Sequence, residues 1–553
     1  MSVAVVPVAR TWLARTRSRA PAGTLRNTTS ASSSAAPGES VEKGSDMNRA
    51  PCTLRLVAFM VCSGPKLLGK PLFGATAAVS TAARFLLRPM RVQAMKSVDT
   101  VVENKGDAER PVQSRAFGVE AALMAAVRVV TRATGFLISM LVARMLGAEG
   151  RGVFAALAAP TALATNFSEM GIRQATAFYV GNGTLTAKRA VPTLLTMVLL
   201  SSALGATLSL VYFEIVGVAE GEWLWRALAA MAILPSLAVS YATGVFLGQK
   251  RIADFRKLSW QPPIVRLVAI AAGGWVLGMG LSGVLAANLL GAFLGAGYAL
   301  RLLGRNGPLR LGYDRRIAAM LHRKGLSYAV SLFILMVNYR IMTLLLTIDG
   351  DMVAVGLYAQ AALMAELLWE VPNTLSALVL SRAVTTSEEE KAAFSGKVMS
   401  LARVAVALGA AASLCLAIAA PFFFPLVFGP DFARSADLCV ALLPGVVAFT
   451  LFKILNIDVA GRGKPWVTMI VMLPVLLLNI GLGWWAVREA GAMGAALASS
   501  VSFIVASFAY LFVYARVVGV SPLAVVTPTR TDLELLRRAL GAFDPRRKFK
   551  RKA

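Results

Sequence analysis

The sequence is short of charge, of histidine and of cysteine. Charged residues make up 16% of its 553 positions and hydrophobic residues 57%, for a mean hydropathy of +0.66. A soluble domain carries about 25% charged residues, so no water-exposed surface would bury this excess; lipid is the solvent the composition calls for. The single histidine, His322, and four cysteines, Cys52, Cys62, Cys415 and Cys439, have no metal-ligand spacing and form no disulfide framework. A Ser/His/Asp or Cys/His catalytic set is excluded with them, and Cys415 and Cys439, in or beside apolar stretches, read as small core residues. Acidic residues are also scarce, 29 against 57 basic ones, giving a net charge of +28 and a pI near 10.7. On a soluble protein that balance would suggest nucleic acid. Here the basic residues lie between apolar segments and at the chain ends with little aromatic interleaving, which is the positive-inside pattern of a membrane protein and argues against a nucleic-acid partner.

Residues 1–115 lack a clean 20-residue apolar run. They carry 17 Lys/Arg against 7 Asp/Glu, and the first 38 residues have no acid at all. Organellar transit peptides share that bias, but the bacterial type of the remainder favours an upstream, largely disordered extension with Met47 or Met95 as the true start.

What the chain has is apolar segments of spanning length. Twelve are expected, near 118–143, 152–174, 191–213, 225–248, 262–280, 282–303, 326–348, 353–381, 398–425, 437–460, 465–487 and 491–515. The first six form one bundle over 116–303 and the last six another over 326–518, with a basic linker at 304–325 and a basic tail at 519–553. One set of loops is basic, with Lys188, Arg189, Lys250, Arg251, Arg310, Arg316, Lys397, Arg462 and Lys464; the alternate set is short and neutral or acidic, with Glu214, Glu220, Asp349, Asp351, Asp431 and Asp437. Twelve spans make the two sets alternate, with both termini on the basic, cytoplasmic side. The halves echo one another. Gly152-Val153-Phe154-Ala155 opens span two as Gly356-Leu357-Tyr358-Ala359 opens span eight, and Leu247-Gly248-Gln249-Lys250 after span four resembles Ala460-Gly461-Arg462-Gly463-Lys464 after span ten. Matches six spans apart in the same orientation predict a parallel pseudo-two-fold, an arrangement that places a substrate pathway between the halves.

Charges inside spans are the candidate functional residues, because each costs about 2.5–3.5 kcal/mol at a helix centre on insertion scales and so tends to face a cavity or a partner. Arg128 and Arg132 share one face of span one; Arg266 stands alone in span five, Arg340 in span seven and Lys453 in span ten. Together they predict a cationic cavity for an anion, and Arg suits phosphate through bidentate hydrogen bonds; the bland reading is snorkelling or structural ion pairs. Glu169, Glu366, Glu370 and Asp458 are the acids at depth. Glu169, Glu366 and Asp458 are candidates for coupling to H⁺ or Na⁺, or they pair with Arg128, Arg132 or Arg340. Two apparent enzyme motifs fail. Gly64-Pro65-Lys66-Leu67-Leu68-Gly69-Lys70-Pro71 mimics a P-loop, but Pro71 stands where Ser/Thr would hold Mg²⁺. Asp349-Gly350-Asp351 resembles a glycosyltransferase metal motif but falls in a short external loop. No cofactor, metal or catalytic residue is expected.

Four stretches carry a family resemblance: Leu141-Val-Ala-Arg-Met-Leu-Gly-Ala-Glu-Gly-Arg-Gly-Val-Phe-Ala-Ala-Leu157, Met170-Gly-Ile-Arg-Gln-Ala-Thr176, Val355-Gly-Leu-Tyr-Ala359, and Leu442-Leu-Pro-Gly-Val-Val-Ala-Phe-Thr-Leu-Phe-Lys-Ile-Leu-Asn456 followed by Ala460-Gly-Arg-Gly-Lys-Pro465. In order and spacing they resemble the polysaccharide-unit flippases of the multidrug/oligosaccharidyl-lipid/polysaccharide exporter superfamily, over about residues 116–520. The resemblance implies an all-α polytopic inner-membrane protein of two six-helix bundles working by alternating access. It also implies an undecaprenyl-pyrophosphate-linked oligosaccharide as substrate, membrane lipid around the chain, and polysaccharide polymerase and chain-length proteins as partners. Two alternatives stay open. A multidrug exporter of the same superfamily would call for an acid-dominated cavity, and a membrane polysaccharide polymerase or ligase for a large external loop.

Overall fold

In hydrocarbon, backbone polar groups have no water to bond, so an apolar chain must close its hydrogen bonds within helices. This chain does so. The computed structural model describes residues 109–276, 278–370, 372–373, 391–462, 464, 466–530 and 532, and no strand occurs among them. Among the described residues, eight helices are long and apolar enough to cross a membrane. Two are double. α1 (Glu109–Glu169) breaks at Gly147, whose φ of 66° is one that a Cβ would disfavour, and α12 (Trp466–Val518) breaks at Gly491. α2 (Ile172–Gly181) extends span two and α3 (Ala187–Val216) is span three. α4 (Trp223–Met231) and α5 (Ile233–Gly248) make span four. Span five is α6 (Ile252–Ile270), continued by a π-helical turn at Ala271–Val276. α7 (Gly280–Leu303), α8 (Arg315–Asp349) and α9 (Met352–Leu367) are spans six to eight, and α10 (Lys391–Phe428) and α11 (Arg434–Gly461) are spans nine and ten. The arms of α12 are spans eleven and twelve. The protein is an all-α, multi-pass membrane protein.

Several boundaries differ from expectation, each for a local reason. The first helix starts at Glu109, inside the stretch read as extension, with Pro111 in a first turn that tolerates it. Span five begins ten residues earlier than expected and takes Pro262 and Pro263 into its interior. The 304–325 linker is helical from Arg315, because the Asp314 side chain caps that helix by accepting from the Arg316 and Ile317 amides. Span eight is interrupted by a turn at Leu368 and Trp369, just before Pro372, with helix again at Glu370; its expected end at 381 falls outside the described residues. Asp351 is likewise a cap, accepting from the Ala354 amide at 2.9 Å, and Gly350 closes the preceding helix at φ 91°. That capping accounts for the Asp-Gly-Asp stretch. The rest of the N-terminal extension, Met47, Met95 and the Gly64–Pro71 stretch fall outside the described residues.

The end of the bundle carrying Gly147, Asp349 and Asp431 is called here the acidic end, and the opposite end, with Lys188, Lys250 and Arg462, the basic end. Leu414, Ile418, Phe422 and Leu426 form an exposed i,i+4 stripe on span nine, 64–80% accessible, as a lipid-facing surface should be. The lobe of spans one to six and the lobe of spans seven to twelve touch at both ends. At the acidic end Gly152 lies against Met352 and Gly356, so close that a Cβ on Gly152 would sit 1.7 Å from the Met352 carbonyl oxygen. Gly356 reciprocates: its Cβ would sit 2.0 Å from the Ala148 oxygen. The glycines that echo in sequence meet in space, each touching the residue four before its counterpart, which is the mark of a two-fold contact. The buried core runs continuously across this end, joining Ala156 and Leu157 to Leu357 and Phe428. At the basic end Gly171 and Gly325 make a second close and mutual approach, without the four-residue offset, and Phe167 packs edge-on against Phe333 at 5.4 Å.

Candidate functional site

Between these two contacts, spans one, two, seven and eight bring charged side chains together from both lobes. Span one runs antiparallel to span eight, so residues near its start meet residues near the end of span eight. Arg132 Nε lies 2.7 Å from Glu370 Oε1 and Arg128 Nη1 donates to the Asn373 carbonyl oxygen at 3.3 Å, both links running from one lobe to the other. Both arginines are exposed. Nearer the acidic end, Arg340 Nη1 lies 3.8 Å from Glu366 Oε1, a loose pair within the second lobe. Ser139 of span one donates to Gln360 Oε1 of span eight at 2.9 Å. Arg151 of span two donates to the same oxygen from Nε at 3.3 Å and is close enough to Arg340 for the two cations to repel. With Arg173 and Glu169, which line a cavity between the lobes nearer the basic end, five guanidiniums are spread along the junction against three carboxylates among the described residues. The surplus favours an anion, and planar, permanently charged guanidiniums suit phosphoryl oxygens.

The other expected site residues lie apart. Arg266 stays within the first lobe, its Nη1 donating to Asn288 Oδ1 at 3.1 Å beside a cavity of about 310 Å³ lined by Ser236, Ser259, Pro262 and Gly291. Lys453 sits inside the second lobe in an aromatic box: its Nζ is 4.4 Å from the Trp369 ring centroid and 5.1 Å from that of Tyr339, and it donates to the Tyr339 hydroxyl at 3.1 Å. Tyr339 links it to the junction, because that ring also lines a cavity of about 240 Å³ with Asn166, Glu169 and Arg173. Glu169 is engaged there, 3.3 Å from Arg173 Nε and accepting from Ser240 Oγ at 3.0 Å.

Asp458 is buried in the second lobe and fully engaged. Ser395 Oγ and Tyr514 OH donate to Oδ2 at 2.7 and 2.8 Å, and Arg462 Nε to Oδ1 at 3.3 Å. Among the described residues no cluster of acids, histidines and cysteines has metal-binding geometry.

Arg151, Gln360 and Ser139 escaped the reading of the sequence. The expected spans leave Arg151 in the loop between spans one and two; the turn is so tight, with Gly147 its only non-helical residue, that Arg151 already lies one turn into span two. Its neighbour Gly152, the echoed glycine, was the signal that this segment belongs to the contact between lobes.

Residues 119–380 match the family described as polysaccharide biosynthesis protein. No curated protein matches the chain. Among solved structures, an inward-facing multidrug resistance MATE family transporter of the MOP superfamily aligns with a TM-score of 0.58 at 13% identity, over 72% of this chain and 98% of that one. The lipid II flippase MurJ in an inward closed conformation aligns with a TM-score of 0.59 at 13% identity, over 76% and 93%. A MOP superfamily transporter from Pyrococcus furiosus, whose binding pocket is described as of reverse polarity, gives 0.52 at 14% identity, over 74% and 95%. At such identities the likeness is one of fold. Over residues 119–380 the chain thus carries the sequence pattern of the polysaccharide biosynthesis protein family, on the fold shared by transporters and flippases of the MOP superfamily.

Proposed function

We propose that the protein flips undecaprenyl-pyrophosphate-linked oligosaccharide units across the bacterial inner membrane by alternating access, supplying surface polysaccharide synthesis. The observation that carries the reading is the cationic lobe junction, with Arg128, Arg132, Arg151, Arg173 and Arg340 against Glu169, Glu366 and Glu370 among the described residues. The pyrophosphate would lie between the lobes while the prenyl tail stays in lipid, and the guanidiniums would offset the cost of removing two phosphates from water. Arg132–Glu370 and Arg128–Asn373 cross the junction, so substrate phosphate competing for these cations would free the lobes to rock, a differential interaction of the kind a ligand-driven shift requires. The lobes would part at one glycine contact while closing at the other. Glu169 and Glu366, both near the junction, are where H⁺ or Na⁺ could bias the cycle; Asp458, enclosed by its own partners, suits a structural role better. The basic loops would face the cytoplasm, with both termini.

Reconstitution in liposomes tests this. Leaflet exchange of a fluorescent undecaprenyl-pyrophosphate oligosaccharide should exceed the protein-free rate and be lost in Arg128→Ala/Arg132→Ala. Absence of exchange, together with gradient-driven efflux of an organic cation, would replace the flippase reading with drug export.

A further inference from the structure

Lys453 is an expected site residue to which the flippase reading gives no role. Its position on α11 lies nearer the basic end than the acidic one, so a lysine seeking water would reach towards the basic end. The side chain instead runs back along the helix, and its Nζ lies 5.7 Å from the ring of Phe449, one turn earlier. There it is 4.4 Å from the Trp369 ring centroid and 5.1 Å from that of Tyr339. Its one hydrogen bond among the described residues goes to the Tyr339 hydroxyl at 3.1 Å, and no carboxylate among them pairs with it. An ammonium has three protons to place; here aromatic faces stand where a counter-ion would.

The walls of this box hold one another rather than the lysine. Trp369, Phe449 and Phe503, from spans eight, ten and twelve, are all nearly inaccessible. Ring centroids lie 5.5 Å apart for Trp369 and Phe503, 5.4 Å for Trp369 and Phe449, and 4.9 Å for Phe449 and Phe503. Tyr339 of span seven packs on Trp369 at 5.5 Å. The Trp369 indole N–H donates to the Val446 carbonyl oxygen at 2.9 Å, which fixes the plane of that ring. Four spans therefore build the box from contacts that do not involve the ammonium. Preorganised aromatic faces of this kind recognise alkylammonium and quaternary ammonium ions. The box also has a mouth: Lys453 is part-exposed, and Tyr339 lines the cavity of about 240 Å³ in which Glu169 stands. A leucine or methionine would fill the same space without dehydrating a charge inside a span, so packing alone does not call for lysine there.

We propose that the second lobe contains a binding site for small organic cations, of the alkylammonium or quaternary ammonium class, and that Lys453 is its tethered occupant. The ammonium fills the box from within and bars external cations from this wall of the pathway. It is a determinant of charge selectivity separate from the guanidiniums of the junction: they attract an anion, whereas Lys453 closes the place where a cation would bind.

The test supplies the missing atoms from solution. The purified full chain is compared as wild type, Lys453→Ala, Lys453→Arg and Lys453→Ala/Trp369→Leu, in an uncharged maltoside detergent where no lipid ammonium competes. The probes are n-propylammonium, which matches the atoms that Lys453→Ala removes, tetramethylammonium, and neutral 1-propanol. Binding is read as a saturable rise in melting temperature. Lys453→Ala should bind either cation about tenfold more tightly than 1-propanol. Wild type and Lys453→Arg, whose boxes are already filled, should show no saturable shift with any probe, and the double variant should lose the preference for cations. No saturable shift of Lys453→Ala by the cations, or an equal one by 1-propanol, would overturn the proposal, because the space is then not a cation site. Cation binding by wild type equal to that by Lys453→Ala would also overturn it, because the lysine then bars nothing. Should Lys453→Ala be lost on purification, n-propylammonium present from extraction onwards should restore its yield and 1-propanol should not; rescue by both or by neither counts against the site. Failure of the flippase reading is a separate result, the absence of leaflet exchange by the wild type, and leaves these outcomes as they stand.

Discussion

Asp458 and Arg151 are both nearly inaccessible charges, at 1% and 9%, and their surroundings could hardly differ more. Asp458, inside the second lobe, is met by a hydroxyl from span nine, a phenol from span twelve and a guanidinium one turn along its own helix. Arg151, at the junction, has half a share in one amide oxygen. Around Asp458 the polar network is complete; around Arg151, at the contact between lobes, it is not. A finished network fixes a packing, whereas an unfinished one is a place where a ligand or a second conformation can enter.

The contrast is broken most severely at Asp458. Asp458→Ala leaves the Arg462 guanidinium facing a buried gap, and removing one partner of a buried pair costs about 3–5 kcal/mol. The variant should therefore melt well below wild type in detergent by intrinsic tryptophan fluorescence, whereas Arg151→Gln should not. The next effect is conformational. Gly152→Val or Gly356→Val places side-chain atoms where the opposing backbone lies, so the acidic-end contact cannot close. An inserted Ala148→Cys/Met352→Cys pair should then lose its oxidative cross-link, and transport should fall by more than tenfold with the chain still inserted in the membrane.

Arg132→Gln sharpens the comparison from the junction side. Arg132 is exposed, and a pair of that kind contributes at most about 1 kcal/mol to stability, so melting should hardly move while substrate affinity falls several-fold. The smallest effect is expected outside the membrane, where Asp532 clamps the C-terminal tail onto Arg403. Arg403 Nε lies 2.7 Å from Asp532, and its Nη1 donates to the Ala524 and Val525 carbonyl oxygens. Burial by itself would raise the Asp532 carboxyl, but hydrogen bonds from Arg403, Ser400 and Thr529 outweigh it and hold the group well below the ordinary carboxylate range. A depressed folded value means that the clamp's contribution is full above the unfolded value of about 3.9 and is lost only as pH falls through the lower one. Hydrogen exchange in residues 522–530 should stay protected from pH 7 to 4.5, and Asp532→Asn should expose them at both.

The fold was legible in the sequence because hydrophobic run length and Lys/Arg placement both report on the bilayer. Even the pseudo-symmetry was written as the echo of Gly152 in Gly356, since only glycine permits that approach of backbones. What stayed illegible was the partner of each charge. Depth and helical face could be read for Arg132 and Glu370, but not that they join across the lobes. Nothing in the order of residues said that Lys453 would be boxed by Tyr339 and Trp369, or that Asp458 would be enclosed by Ser395 and Tyr514, because those contacts depend on rotamers and on the crossing of helices distant in sequence. Arg151 was hidden by a turn shorter than the pattern suggested.

The central claim is that the lobe junction reads phosphate. Leaflet exchange in liposomes of three lipids with the same prenyl tail and sugar, joined by pyrophosphate, monophosphate or a neutral ether, tests it most directly. The account predicts exchange in that order, with the neutral lipid at the protein-free rate. Equal exchange of the neutral and pyrophosphate lipids would contradict it.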